Sequence, residues 1–107
     1  MNCKLLLLCG LIAAATWLAQ STVAQPADNR PRVLVYSVPG CPACERFGAW
    51  SRTRGAAAAF RFDVRPAPAW VAQFPAFHFE RPGGDWAVLY GWTSIDDFTR
   101  RWEAANR

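Results

Sequence analysis

Two cysteines with two residues between them are the part of this chain best suited to chemistry. Cys41 and Cys44 form a C-x-x-C pair that follows a strand-like apolar run at residues 33–36 and opens a helix-like run at residues 45–59. Thiols at this spacing on a first helical turn can close a small disulfide ring. Free backbone N–H groups and the positive end of the helix dipole also stabilise a thiolate there. The pair therefore indicates thiol–disulfide redox chemistry.

Two other interpretations of the pair are weaker. A purely stabilising bridge across two residues closes a very short loop, which removes little entropy from the unfolded chain. A structural zinc site needs four ligands, and the pair together with the single histidine, His78, falls short of that number. Retention of a soft metal by the two sulfurs stays a minor alternative. Neither a metal nor a cofactor is expected.

The chain between residues 32 and 107 predicts one α/β domain. Four apolar or alternating runs are typical of β-strands, at residues 32–37, 60–64, 76–80 and 86–90. Helices are predicted over residues 45–59 and after a cap at Ser94, with one or two helical turns at most over residues 69–74. The order β-α-β-(short α)-β-β-α predicts a four-stranded mixed sheet flanked by helices.

The N-terminus predicts export. Lys4 supplies a positive start, residues 5–19 supply an apolar segment, and residues 22–24 supply small side chains at a cleavage site. We therefore expect a signal peptide over residues 1–24, removed before Gln25. The protein would then act in the periplasm or be secreted, where disulfides persist.

An uncleaved membrane anchor is the alternative for this segment. A spanning helix needs about 20 apolar residues, and the polar residues from Gln20 onward end the run too early for that. Cleavage is the favoured interpretation. The expected domains are the signal peptide, a flexible leader over residues 25–31, and a folded domain over residues 32–107.

Charge points away from nucleic acid. The 12 basic and 8 acidic residues are interleaved along the chain rather than gathered into a basic stripe. The expected partners are protein thiols and disulfides together with an unidentified redox partner. No contact with a membrane is expected once the signal is removed, and a monomer is expected.

Three landmarks together resemble the thioredoxin superfamily over the whole folded domain. They are the Cys41-Pro42-Ala43-Cys44 motif at a helix start, Pro75 immediately before the third strand, and a hairpin with a terminal helix after it. Within the superfamily, Gly40 before the motif and Pro42 inside it are most similar to glutaredoxins. The resemblance implies a thioredoxin-like fold and a cis peptide bond between Phe74 and Pro75.

The chain departs at informative positions from the families that it resembles. Val35 stands where thioredoxins have a buried acid, so no side-chain base for Cys44 is evident. Gln73 and Phe74 stand where glutathione-binding glutaredoxins have Thr-Val, which leaves glutathione use without its usual residues.

The predicted site has two catalytic cysteines and a set of substrate-binding residues. Cys41 precedes the helix proper and is the expected nucleophile, while Cys44, one turn further on, would resolve the mixed disulfide. The backbone of Phe74 is expected to pair with an extended substrate segment, as the resemblance implies. The expected substrate-binding residues are Gly40, Pro42, Phe74, Pro75 and Trp92.

Some aromatic residues admit two interpretations. Trp70 and Trp92 could line a binding surface near the cysteines or pack in the core. His78 alternates with Phe77 and Phe79, which predicts a surface or interface histidine rather than a catalytic one.

The function that the sequence favours is an exported thiol–disulfide oxidoreductase acting on protein cysteines. The alternative is a non-catalytic thioredoxin-fold binding subunit of an envelope or transfer apparatus, in which the cysteine pair is structural.

Overall fold

A computed structural model describes residues 28–107 of the chain. The predicted signal peptide and the first residues of the leader lie outside the described residues. The described part has four strands and two helices: β1 Arg32–Tyr36, α1 Pro42–Arg54, β2 Arg61–Val64, β3 Ala76–Glu80, β4 Trp86–Tyr90 and α2 Ile95–Ala105. A single 3₁₀ turn, Gly55–Ala57, follows α1, so the helix predicted over residues 45–59 starts earlier and ends earlier than expected.

The four strands form one mixed sheet in the order β2-β1-β3-β4. β1 and β2 are parallel and joined through α1, whereas β3 pairs antiparallel with both β1 and β4. Tyr36 at the end of β1 lies opposite Ala76 at the start of β3, which in turn lies opposite Tyr90 at the end of β4. The expected α/β class and four-stranded mixed sheet are confirmed, and the arrangement is thioredoxin-like.

Both helices pack on the same face of the sheet. The main core is a cluster of buried apolar side chains from β1, β3, both helices, and the segments that precede β2 and follow β4: Val33, Val35, Phe47, Phe60, Phe77, Phe79, Trp92 and Phe98. Phe47 of α1 and Phe98 of α2 each contact Phe77 of β3, with ring centroids 5.3 and 4.9 Å apart. Aromatic rings therefore hold both helices against the sheet.

A loop rather than a helix lies against the opposite face. There Tyr36 and Ala76 form a second buried cluster with Val71, and Phe74 packs against it. The helical turns predicted over residues 69–74 are wrong: the segment contains turns, bends and irregular backbone but no helix, with a hydrogen bond of 3.1 Å from the Val71 N–H to the Pro68 carbonyl. Prolines explain the difference, because a residue that precedes proline is pushed away from helical backbone angles.

Helix α2 begins with the predicted cap. Ser94 has extended backbone angles, and its hydroxyl accepts a hydrogen bond of 3.1 Å from the Asp97 N–H. We expect Ser94→Ala to lower the free energy of unfolding by about 1 kcal/mol, because that N–H loses its partner. Urea denaturation followed by circular dichroism measures the change. Thr93→Ala, at the exposed neighbouring position, is the control, and an equal loss in both variants would contradict the capping role.

Candidate active site

The two cysteines are joined by a disulfide at the start of α1. Their Cα atoms are 5.2 Å apart. Cys41 is the N-cap residue, with φ of −99° and ψ of 109°, and its sulfur accepts a hydrogen bond of 3.2 Å from the Cys44 N–H. The Glu45 N–H donates to the Cys41 carbonyl at 3.0 Å, which closes the first helical turn. The helix start thus directs a backbone donor at the Cys41 sulfur, a position that favours the thiolate over the thiol.

The two sulfur-bearing residues differ in accessibility. Cys44 is 8% exposed and belongs to the buried side of α1, whereas Cys41 is only partly buried. Pro42, between them in sequence, is exposed at the first helical position, where its missing N–H costs no intrahelical hydrogen bond. An incoming group can therefore reach Cys41 more readily than Cys44.

Gly40 shapes the approach to Cys41. Its φ is +76°, a left-handed conformation that side-chain-bearing residues rarely adopt, and a Cβ placed there would meet no atom within 4 Å. The glycine is therefore required by the backbone conformation rather than by crowding. The surface beside Cys41 stays open on this side.

Pro75 lies at the same end of the sheet as the cysteine pair. The Phe74–Pro75 peptide bond is cis, Pro75 is fully buried, and its carbonyl accepts a hydrogen bond of 2.8 Å from the Gly91 N–H. Because β3 runs antiparallel to β1, its start adjoins the end of β1, from which the chain continues to Cys41. The register thus brings Pro75 and the loop of Gly40 and Pro42 to the same end of the sheet, with Phe74 half-buried next to Pro75.

Trp92 is a correction to the predicted site. It is 4% exposed and lies inside the main core, with ring centroids 4.9 Å from Phe47 and 5.1 Å from Trp50. Gly91, with φ of +84°, turns the chain after β4 so that Trp92 enters the helix side of the sheet. A side chain so enclosed cannot contact a substrate, so the expected binding role of Trp92 is wrong.

An aromatic cluster on the other face was not predicted. His78 lies between Trp70 and Trp86, with ring centroids 5.1 and 4.6 Å away, and its Nδ1 atom shares a hydrogen bond of 3.0 Å with the Tyr36 hydroxyl. Trp70 and Trp86 are 50% and 51% exposed. The alternation of β3 does place His78 on the other face of the sheet from Phe77. Only the pairing register of β1 with β3 reveals Tyr36 as the partner of His78.

The stability of the protein should depend on His78 in mildly acidic solution. Partial burial lowers the pKa of His78, so the folded protein takes up its proton at a lower pH than the unfolded chain does. As the pH falls from about 7 to about 5, through the ordinary titration range of histidine, the unfolded state gains protons first and the free energy of unfolding decreases.

We expect His78→Gln to flatten this dependence, as thermal denaturation at a series of pH values would show. His78 is the single histidine of the chain, so no second imidazole obscures the effect. Asp63, a carboxylate on the edge strand β2, titrates in a more acidic range, because Arg32 and Arg65 hold its pKa below the ordinary value. An unchanged slope in the variant would contradict the assignment to His78.

Other features of the described residues add no further ligand set. Residues 28–107 contain no group of three or more His, Cys, Asp or Glu side chains placed to hold a metal ion. A shallow groove passes beside Cys44 between the β1–α1 loop and α1, where it is lined by Val38, Glu45 and Arg52. No helix within this same range is long and apolar enough to cross a bilayer.

The fold and the site together define a thioredoxin-like domain with an oxidisable cysteine pair. No family model matches the chain, and no curated protein matches it. Among solved structures, the chain is similar to DsbF of MTB in its mixed oxidised and reduced forms, with 23% identity, a TM-score of 0.44, and coverage of 70% of this chain and 80% of that one. Function must be argued from the site itself.

Proposed function

We propose that this protein is an exported thiol–disulfide oxidoreductase that exchanges disulfides with the cysteines of other proteins. The observation that carries the proposal is the asymmetry of the pair: an accessible Cys41 at the N-cap of α1 is bonded to an 8% exposed Cys44 in the first turn. A structural staple needs no such asymmetry. Exchange needs one sulfur that meets the substrate and a second that is shielded until the first has reacted.

The chemistry is a transfer of two electrons through a mixed disulfide. In the reducing direction, the Cys41 thiolate attacks one sulfur of a substrate disulfide and releases the other as a thiolate. Cys44 then attacks the Cys41 sulfur, which forms the Cys41–Cys44 disulfide and releases the second substrate thiolate. The substrate gains two electrons and two protons, and the pair loses them. The oxidising direction is the reverse of these steps.

The helix start would activate Cys41. The Cys44 N–H already donates to the Cys41 sulfur at 3.2 Å, and the same donor would hold the thiolate of the reduced protein. Pro42 removes one further donor from this turn. Val35 is fully buried and apolar, so it offers Cys44 no base, and the proton of Cys44 would pass to water or to the substrate.

Substrate would bind around the exposed side of Cys41. Gly40 and Pro42 flank the sulfur, both are exposed, and the Gly40 backbone leaves the approach unobstructed. Phe74 and Pro75 lie at the same end of the sheet, where the backbone of Phe74 would pair with an extended segment of the substrate. The same residues, Gly40 and Pro42, support a glutaredoxin-like subtype within the superfamily.

Export is part of the proposal. It is supported by the positive start, the apolar run and the small residues of the segment that precedes Gln25. We therefore propose a periplasmic or secreted location for the folded domain, with protein thiols and disulfides as partners.

A second candidate function is a non-catalytic binding subunit, and Val35 is the observation that favours it. A fully buried valine stands at the position where thioredoxins have the acid that serves their inner cysteine. A domain without that proton acceptor could keep a closed disulfide as a structural element only.

Insulin reduction by the purified protein separates the two functions. An oxidoreductase would accelerate precipitation of the insulin chains in the presence of dithiothreitol. The rate at which its reduced form reacts with iodoacetamide would be half-maximal at a pH below the pKa of a free cysteine, which is about 8.5. A protein that gives no acceleration, with a disulfide that resists dithiothreitol, would be the binding subunit.

A further inference from the structure

The two edges of the sheet are protected to different degrees. β2 is a four-residue strand with alternating charges, and its Asp63 forms ion pairs of 2.8 Å with both Arg32 and Arg65. β4 is a five-residue strand, Trp86–Tyr90, with neither a charged residue nor a proline. Natural sheets usually guard an edge with such residues, because an unguarded edge pairs with another strand.

The free backbone groups of β4 can be assigned from the hydrogen bonds at its two ends. The Arg81 N–H donates to the Asp85 carbonyl at 2.7 Å, and the Gly91 N–H donates to the Pro75 carbonyl at 2.8 Å. Hydrogen-bonded pairs alternate along an antiparallel ladder. Residues 87 and 89 therefore bond to β3, and the N–H and carbonyl groups of Trp86, Val88 and Tyr90 point outward.

Most of these outward groups are without a partner among the described residues. The Tyr90 carbonyl accepts a hydrogen bond of 2.8 Å from Arg101 of α2. No other hydrogen bond to the outward groups of Trp86, Val88 or Tyr90 occurs within residues 28–107. The edge thus offers a row of unused donors and acceptors next to two large, partly exposed side chains.

We propose that β4 is a dimerisation edge, on which a second copy of this chain adds its own β4 in the antiparallel direction. A two-fold axis at Val88 overlaps all five residues of both strands. The two Val88 residues then exchange a pair of hydrogen bonds, and each Tyr90 N–H donates to the carbonyl of the partner's Trp86. Each Trp86 N–H in turn faces the partner's Tyr90 carbonyl, which has two lone pairs and can accept from this N–H and from Arg101 together.

The side chains of β4 are self-complementary in the same register. Trp86, Val88 and Tyr90 project from the face that carries His78, which lies opposite Val88 in the β3–β4 pairing. Trp86 is 51% and Tyr90 40% exposed. In the dimer each Trp86 lies across from the partner's Tyr90, and aromatic pairs of this kind stabilise antiparallel strands. A second copy therefore covers the two half-exposed aromatic side chains of β4.

The dimer leaves both redox sites open. The last residue of β4 lies at the end of the sheet that carries Pro75 and the cysteine pair. Because the two β4 strands run in opposite directions, the two sites lie at opposite ends of an eight-stranded sheet. Dimerisation through β4 is thus independent of the proposed exchange reaction, and it differs from the monomer that the sequence predicts.

Introduction of a charge at Val88 tests the proposal, with mass measured by light scattering after gel filtration over a concentration series. The wild-type protein is expected to be a dimer, also in the presence of dithiothreitol. Val88→Glu and Val88→Lys are each expected to be monomers, because two like charges meet on the axis. An equimolar mixture of the two variants is expected to form a dimer again.

A control and a direct measurement keep the test decisive. Ala49→Glu, at an exposed position of α1, should remain a dimer, and circular dichroism of each variant reports whether it folds. A wild-type protein that is a monomer at every concentration overturns the proposal without any variant. A dimer that both charge variants retain places the interface elsewhere and overturns it equally.

Discussion

Cys41→Ser is expected to abolish disulfide exchange completely. Cys41 is the accessible member of the bonded pair, and its sulfur receives the backbone hydrogen bond from the first turn of α1. A serine hydroxyl at this position neither ionises near neutral pH nor forms a bond to sulfur, so no mixed disulfide can begin. The measurement is insulin reduction under the conditions in which the wild-type protein is active.

Cys44→Ser is the matched control for this experiment. Its Cys41 can still attack a substrate, but no second sulfur releases the product, so a stable mixed disulfide should accumulate and appear in a non-reducing gel. If Cys41→Ser rather than Cys44→Ser trapped the substrate, the two roles would be reversed. Full activity in Cys41→Ser would remove the proposed mechanism altogether.

Phe77→Ala is expected to cause the largest loss of stability. Phe77 of β3 is fully buried and contacts rings of both helices, with ring centroids 5.3 Å from Phe47 and 4.9 Å from Phe98. Truncation of a buried phenylalanine removes apolar burial and leaves a cavity, at a cost of about 3–5 kcal/mol. A small domain has a total stability of about 5–15 kcal/mol, so the variant should be largely unfolded in mild urea.

Two further variants test whether this loss of stability comes from the buried position of Phe77. Phe77→Leu keeps most of the volume and should cost less than half as much as the alanine variant. Val64→Ala, at a strand position that is 63% exposed, should change the free energy of unfolding by about 0.5 kcal/mol or less. Urea denaturation measures all three, and similar losses in Phe77→Ala and Val64→Ala would contradict the assignment of the core.

Local patterns in the sequence predict much of this fold. The bounds of β3 and β4 agree with the runs at residues 76–80 and 86–90, because alternation and the intervening glycines specify a hairpin locally. The start of α2 is also specified locally, since the Ser94 hydroxyl accepts a hydrogen bond from the N–H of the third residue after it. The cysteine pair at the start of α1 is recognisable for the same reason.

The features that the sequence does not reveal depend on contacts between distant segments. Trp92 and Trp70 are both tryptophans beside a turn, yet one is in the core and the other is half exposed. The turn at Gly91 and the packing of α1 decide this difference, and neither is visible in local periodicity. The contact of Tyr36 with His78 likewise depends on the register between β1 and β3.

Helix α2 is connected to the loop beside the cysteines through a relay of polar contacts. Asp97 binds Arg101 at 3.0 Å, Arg101 donates to the Gly91 carbonyl at 2.9 Å, and the Gly91 N–H donates to the Pro75 carbonyl at 2.8 Å. Helix α2 therefore helps to hold the loop of Pro75 in place, although none of its atoms takes part in the proposed reaction. Loss of the Arg101 guanidinium would therefore disturb the loop of Pro75 from a distance.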